Sequence, residues 1–562
     1  MEFPHRDHRF TAGVLLTLVL VSSLLIRLNH LGHGAIKALD ESYHALVAKN
    51  LIQHPLTPTL YDKPWLEYDY RDWQNNHVWL HKPPVPLWQM ALSMALLGVN
   101  TLALRLPSAL LATAAVYLTY AIGRELLNDR RAALIAAALQ GFNPAITSLV
   151  HGYVFSDHID IAVLFWVELS VYFLVRAIKS GSMRWTALAG TAQGLAYLSK
   201  SYPAFVITAV AAVAVFLPLV GLAGREQVRL RGRHLAILLI ATLITIAPWT
   251  IWCIVKFPRE FWWEQAQVFR HLGTNIEGWA APWDRLVFDF SLRIYHLFYP
   301  AVIVAAVLML IRARQLKHAG LWLLLAWGFG VLLPHVIATS KTPTATLIGW
   351  PPFFLLLSAL IVRGIDGDRA CLGGWFAAVV LATFASGTIP REGWGYPDAP
   401  GFARILRDNI WVLIHVGTAL VLAALAARLW LRGPVARWAH LAVVLLASGA
   451  TIFLTARLAH IGWRITQLNR QHPTFAELGD LARRHLPDNA VLLLEITEKG
   501  EHVMAMFYVD RSVYPVAADA HEPLAGQIRA AGGLPLLVTH RSLPLPAAFD
   551  HAADGRRVYH LP

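Results

Sequence analysis

The chain has 562 residues, of which 56% are hydrophobic and 15% charged, with 21 tryptophans and a positive mean hydropathy. So few polar side chains cannot cover that much apolar surface, which excludes a soluble globule and makes lipid part of the solvent. The net charge of +13 does not mark a nucleic-acid binder, because Lys and Arg fall in short clusters between apolar runs, as membrane topology requires.

Arg6 and Arg9 precede a first apolar run, Thr11 to Ile26. It is long for a signal-peptide core and lacks a small-x-small cleavage site, so it reads as a retained span. Thirteen runs long enough to cross a bilayer follow one another between about residues 12 and 460, making the chain an α-helical polytopic membrane protein. A further run, Val85 to Val99, is short and broken by Pro86 and Gly98. Read as a juxtamembrane helix, it leaves Arg124/Arg130/Arg131, Arg176/Lys179/Arg184, Arg225 to Arg233, Arg312/Arg314/Lys317, Arg363/Arg369 and Arg428 to Arg437 on the cytoplasmic side. The N-terminus is then inside and the C-terminus outside; only the mixed outer stretch Arg391 to Asn409 dissents. Cys253 and Cys371 lie far apart, in or beside apolar runs, so they read as neither a disulfide framework nor a zinc motif.

Three regions result: a transmembrane module over 1–365 with outer loops at 30–101 and 255–294, further spans over 366–461, and a small extracytoplasmic α/β domain over 462–562. In that last region Thr474 and Glu477 form a capping box that predicts a helix to His485. Val491 to Ile496 and Leu536 to Thr539 predict buried strands, and Pro523 to Ala531 another helix. No Gly-rich phosphate loop is present there, so no catalysis is assigned to it.

This topology brings Asp40, Glu41, His81, Lys82, Asp157, Asp160, Lys200, His271 and Lys341 to one outer face from five connections. Asp40 and His44 share a helix face, while Glu41 points about 100° away; both acids also suit a helix N-terminus. Asp157 and Asp160 begin a span, where Ser156 or Asp157 equally suits an N-cap. Lys82, Lys200 and Lys341 each stand beside a proline; as point cations they suit a phosphate, and singly each also reads as a snorkelling interfacial lysine. No H-E-x-x-H spacing occurs, and among the outer histidines His81 and His271 are the candidates for a divalent metal. Glu168, deep in a span, must face the protein interior. Trp65, Tyr68, Tyr70, Trp73 and Trp79 suit either sugar stacking or interfacial anchoring.

Asp40-Glu41 after the first span, His81-Lys82-Pro83-Pro84, Arg105-Leu106-Pro107-Ser108-Ala109, Asp157, Gly194 to Lys200 and Ser340-Lys341-Thr342-Pro343 together resemble the ArnT-type, protein-mannosyltransferase-related family. The resemblance covers roughly residues 10–365. It implies a GT-C fold and a membrane glycosyltransferase, hexosyl or pentosyl, using a polyprenyl-phosphate sugar donor. The acceptor is a lipid, a glycan or a protein, and the membrane a bacterial inner membrane with the site facing outward. It also implies Asp40 as the key acid and Lys82 on the donor phosphate; the residues themselves add Glu41 and Asp157 in support of Asp40, and Lys200 and Lys341 beside Lys82. ArnT-type members carry Glu where His81 stands, contributing to a metal site, so a divalent metal (Zn, Mg or Mn) would fall to His81 and His271. The rival readings are a lipid-linked substrate transporter or flippase and a non-catalytic envelope assembly subunit.

Overall fold

The computed structural model describes residues 7–152, 158–275, 278–283, 299–388, 434–468, 474–518, 520–550 and 555–561. Asp157, the stretch Arg391 to Asn409 and the span expected at 410–427 lie outside the described residues.

Helices α1 (Asp7–Leu28), α2 (Asp40–Leu51), α3 (Pro84–Leu97) and α4 (Thr101–Leu127) open the chain. Asn100 caps α4 by accepting from the Ala103 amide at 2.9 Å. α3 has Pro84 at its first turn and rises only about 21 Å, too short for a hydrocarbon core. α5 (Arg130–Gly141) and α6 (Pro144–Val150) form one bent unit at 47°, because Asn143 starts a new cap and Pro144 a new first turn. Then come α7 (His158–Ser180), α8 (Met183–Lys200), α9 (Val206–Phe216), α10 (Gly232–Lys256) and the amphipathic α11 (Pro258–Gly273). The bundle closes with α12 (Tyr299–Leu316), α13 (Ala319–Ile337), α14 (Trp350–Ile365), α15 (Arg369–Thr388) and α16 (Pro434–Leu468).

Among the described residues seven helices are long and apolar enough to cross a membrane, eight if the bent α5–α6 unit is one span. Several of the other expected runs became shorter pieces where Asn, Pro or Ser breaks the helix, as at Ser201 and Pro203 between α8 and α9. The core forms where α4 packs on α5 and α7, and α8 on α7 and α10. Glu168 of α7 accepts from Thr119 Oγ1 and Gln140 Nε2, both at 2.7 Å, so its role is a satisfied structural pairing between three helices.

The C-terminal region comprises α17 (Thr474–His485), β1 (Ala490–Glu495), α18 (Glu501–Val509), β2 (Val513–Val516), α19 (Glu522–Ala530), β3 (Leu534–Thr539), β4 (Ala547–Asp550) and β5 (Arg557–His560). The strands form a sheet in the order β2-β1-β3-β5-β4, with β1 parallel to β2 and β3 and β5 antiparallel to β3 and β4. β1 is a nearly continuous buried apolar run, as a central parallel strand should be. This sheet domain shares one hydrophobic core with the 30–101 loop. Tyr61 stacks on Tyr514 with centroids 4.7 Å apart, the Ile36 amide donates to Tyr508 Oη at 3.2 Å, and Lys49 pairs with Asp510.

Candidate functional site

Immediately before Asp40 the backbone is forced: Leu39 sits at φ 69°, ψ −135°, a conformation L side chains rarely adopt. The strap leading to it is held from below by Arg105, fully buried near the start of α4. Arg105 donates to the carbonyls of Leu31, His33 and Ala35 at 3.2–3.3 Å. It also grips Glu41 through Nε at 2.7 Å and Nη2 at 3.0 Å. Glu41 in turn accepts from the Lys37 amide at 2.7 Å and meets His158 Nε2 at 2.9 Å. With Nε2 donating to Glu41, His158 Nδ1 accepts from the Ser108 hydroxyl at 3.3 Å.

Burial alone would raise the Glu41 carboxyl, but Arg105 and His158 outweigh it and hold the group well below the usual carboxylate range. Gly152 completes the pocket. A Cβ there would stand 2.3 Å from Glu41 Oε1, and its φ of +60° is glycine territory as well. The adjacent acids therefore part company: Glu41 is enclosed beneath the strap, while Asp40 is half-buried at the first position of α2.

The helix that Asp40 opens is linked to the Lys82 loop through aromatic rings. Tyr43, one turn along α2, lies 4.9 Å from Trp73, whose ring stacks on His81 at 4.3 Å and 8°. His81 Nδ1 meets the buried Glu264 carboxylate of α11 at 3.1 Å. A small cleft of about 50 Å³ forms here, lined by His81, Lys82, Tyr197, Ser201, Trp249 and Glu264 among others. Lys82 is half-buried in its wall.

Lys200, the last residue of α8, pairs with Asp160 at the start of α7. The next residue, Ser201, repeats the strained geometry of Leu39 at φ 63°, ψ −141°. Lys341 is buried, donates to the Ala338 carbonyl, and its own amide donates to Trp279 O at 2.9 Å. Burial lowers its ammonium from the ordinary lysine value. The structure thus brings Lys82 next to the Lys200–Ser201 corner. His271 belongs to α11, but its side chain is outside the described residues.

Three partners were not among the expected site residues: Arg105, His158 and Glu264. Arg105 had a signal, being a lone charge in the first turns of an apolar helix. Glu264 had one too, on the strongly amphipathic helix of the second large loop. For a metal, the described residues hold no group of three His, Cys, Asp or Glu placed as ligands. The imidazole and carboxylate of His81 and Glu264 suit zinc, but two donors leave half of a tetrahedral shell to substrate or water.

Residues 81–252 match the family model described as dolichyl-phosphate-mannose-protein mannosyltransferase. The undecaprenyl phosphate-alpha-4-amino-4-deoxy-L-arabinose arabinosyl transferase of Pseudomonas aeruginosa is 28% identical over 329 residues, covering 54% of this chain and 54% of that protein. The matched chain thus spans about half the length of these curated relatives. Among solved structures, ArnT from Cupriavidus metallidurans bound to undecaprenyl phosphate aligns over 96% of this chain and 97% of its own, with a TM-score of 0.61 and 15% identity. The oligosaccharyltransferase AglB from Archaeoglobus fulgidus aligns over 94% of this chain and 69% of its own, with a TM-score of 0.55 and 13% identity. At such identities the structural likeness establishes the fold. The chain thus shares its fold with ArnT and AglB over nearly its whole length, and about half of its sequence is similar to the arabinosyl transferases.

Proposed function

We propose that this protein transfers a sugar, a pentose or hexose, from a polyprenyl-phosphate donor to an acceptor at the extracytoplasmic face of a bacterial inner membrane. One observation carries the reading: a carboxylate that follows a strained, braced strap and three lysines from separate connections stand at helix ends on one end of the bundle. The basic clusters, such as Arg124, Arg130 and Arg131, lie at the other ends of these helices, which supports an outward-facing site.

In the reaction, an acceptor oxygen forms a bond to the anomeric carbon as the bond from that carbon to the donor phosphate breaks. Asp40 takes the proton when the acceptor is a hydroxyl, and orients the acceptor when it is an ionised phosphate. Lys82, with Lys200 and Lys341 behind it, stabilises the polyprenyl phosphate as it leaves. Asp157, next in sequence to His158, is proposed as a further acid at this end. Glu41 serves by holding the strap. His81 and Glu264 would hold a divalent ion, which when bound would add positive charge beside the phosphate; His271 is proposed as a further ligand. The apolar groove of about 520 Å³ between α9, α12 and α13, walled by Phe216, Leu310, Trp322 and Phe329, suits the polyprenyl tail.

The test is transfer of a labelled sugar from an undecaprenyl-phosphate donor into membrane extracts by the intact protein, Asp40→Asn and Lys82→Ala at matched expression. Transfer by the intact protein and its loss in both variants is the expected result. Undiminished transfer in both sinks the assignment of the site. Absence of transfer with several donors sinks the glycosyltransferase reading.

A further inference from the structure

Thr497 to Gly500 form the turn between β1 and α18, and this turn rests on the strap that leads to Asp40. Gly500 takes φ +86°, and its backbone packs on that of Leu39: a Cβ at 500 would stand 2.7 Å from the Leu39 nitrogen and 3.3 Å from its Cα. The Leu39 carbonyl accepts from the Ser42 and Tyr43 amides at 2.9 and 3.2 Å, so the place of Leu39 fixes where α2, and with it Asp40, begins. Its φ of 69° is costly and persists only where neighbours enforce it. Arg105 and Glu41 enforce it from within the bundle, and Gly500 from the sheet domain.

The turn has a scaffold of its own. Gly500 has no side chain to cap α18, and Glu501 folds back in its place. Glu501 Oε2 accepts from the Thr497 amide at 2.6 Å and the Glu498 amide at 3.3 Å, and Oε1 accepts from the Thr497 hydroxyl at 2.9 Å. Arg556, just ahead of β5, donates to the same Oε1 at 3.0 Å, and its guanidinium lies 4.7 Å from the Phe475 ring of α17. Glu501 and Arg556 are both buried. A buried ion pair adds little stability over an apolar pair of similar volume, so its retention calls for a geometric role. The geometry held here is that of a turn seated on the residue before Asp40.

We propose that Glu501 and Arg556 are positioning residues for Asp40. They shape the 497–500 turn, the turn presses on Leu39, and Leu39 sets the direction in which the Asp40 carboxylate leaves the strap. The sheet domain, to which no catalytic group is assigned, takes part in the reaction by this contact. The effect on transfer rests on the glycosyltransferase reading above, while the effect on the strap does not.

The experiment uses the full-length protein in nanodiscs and compares wild type with the Glu501→Met/Arg556→Met double variant, in which the buried pair becomes apolar, checked for equal melting temperature. Thr497→Ala, an exposed substitution that loosens the same turn, keeps the test open should the double variant melt early. Hydrogen exchange is measured first: in the double variant it should quicken about tenfold at the Ser42 and Tyr43 amides while Leu492 to Leu494 stay protected. In the transfer assay kcat should fall about tenfold, with the KM of donor and of acceptor each within about twofold. Thr497→Ala should act in the same direction on exchange and kcat, by about threefold, the scale of one hydrogen bond. Unchanged exchange at Ser42 and Tyr43 in both variants overturns the positioning of the strap. Quicker exchange there with unchanged kcat overturns its bearing on Asp40. Equal quickening at the strap and at Leu492 to Leu494 means that the pair only stabilises the fold, and overturns the proposal too. If the wild type transfers nothing, the glycosyltransferase reading falls, and the exchange comparison alone decides whether the pair positions the strap.

Discussion

Two charged regions lie at the same end of the helix bundle and are built in opposite ways. In the brace, Glu41, Arg105 and His158 are sealed from solvent and joined to one another and to three backbone carbonyls. Around the lysines, Lys82 and Lys200 keep part of their side chains exposed beside a cleft, and the nearby backbone is strained at Ser201. A closed ionic network specifies a shape. Cations at an opening, even one paired as Lys200 is with Asp160, lie where a ligand can reach them. The contrast suggests that neighbours in sequence, such as Asp40 and Glu41, can serve the two purposes side by side.

Breaking each region should separate these roles. The largest effect belongs to Arg105→Ala, which leaves the Glu41 carboxylate buried without its cation and should destabilise the fold by about 3–5 kcal/mol. Little folded protein should survive extraction, as judged by thermal unfolding in detergent. Equal unfolding midpoints for wild type and variant would show that the network does not brace the strap. Lys82→Ala should behave in reverse, with unfolding unchanged and transfer reduced about 10²–10³-fold, the scale of losing one preorganised electrostatic contact.

A smaller effect separates the brace from the sheet domain above it. Gly500 presses on the strap from the C-terminal side: a Cβ there would lie 2.7 Å from the Leu39 nitrogen. Gly532 shares its positive φ, 84° against 86°, but has nothing within 4 Å. Alanine at either position carries a backbone penalty of about 1–2 kcal/mol. Only Gly500→Ala should also push Leu39 and Asp40, lowering kcat by about tenfold beyond the Gly532→Ala control. Matching kcat values in the two variants would mean that the sheet domain does not position Asp40.

The smallest effect is one of pH. His502, on the α18 face near Gln74, is buried, and burial pushes its imidazole down to about 4 from an ordinary 6.5, against an opposing contact from the Gln74 backbone. Below pH 6.5 the unfolded chain takes up a proton that the folded chain refuses, so stability declines as pH falls toward 4. Glu41 acts with the same sign in a lower window: its depressed carboxyl stabilises the fold above about pH 4.5, and that contribution fades only below it. At about pH 5.5, hydrogen exchange should therefore quicken between the sheet domain and the 30–101 loop while the amides around the brace stay protected. Uniform quickening across both would break the distinction.

Much of this was open to a reader of the sequence. A helix from Thr474 to His485 lies where Thr474 and Glu477 predict one, β1 and β3 fall on short apolar runs, and the polytopic bundle follows from hydropathy. The short strands β2, β4 and β5 and helix α18 escaped that reading, since four-residue strands carry too few side chains to show a period. The lysines beside prolines were visible as a set, whereas Glu41 looked like a second catalytic acid until its partners were known.

By itself, then, the sequence determined the membrane class, the helix after Thr474 and the resemblance that named a fold, because these depend on composition and on residues within a few positions of one another. The tertiary structure alone decided that Glu41 would meet Arg105 across 64 residues, that His81 would meet Glu264 across 183, and that Lys49 would reach the sheet domain across more than 450. Local propensity cannot choose among so many possible charged partners. Packing chooses, by burying one pair together and leaving the others to water.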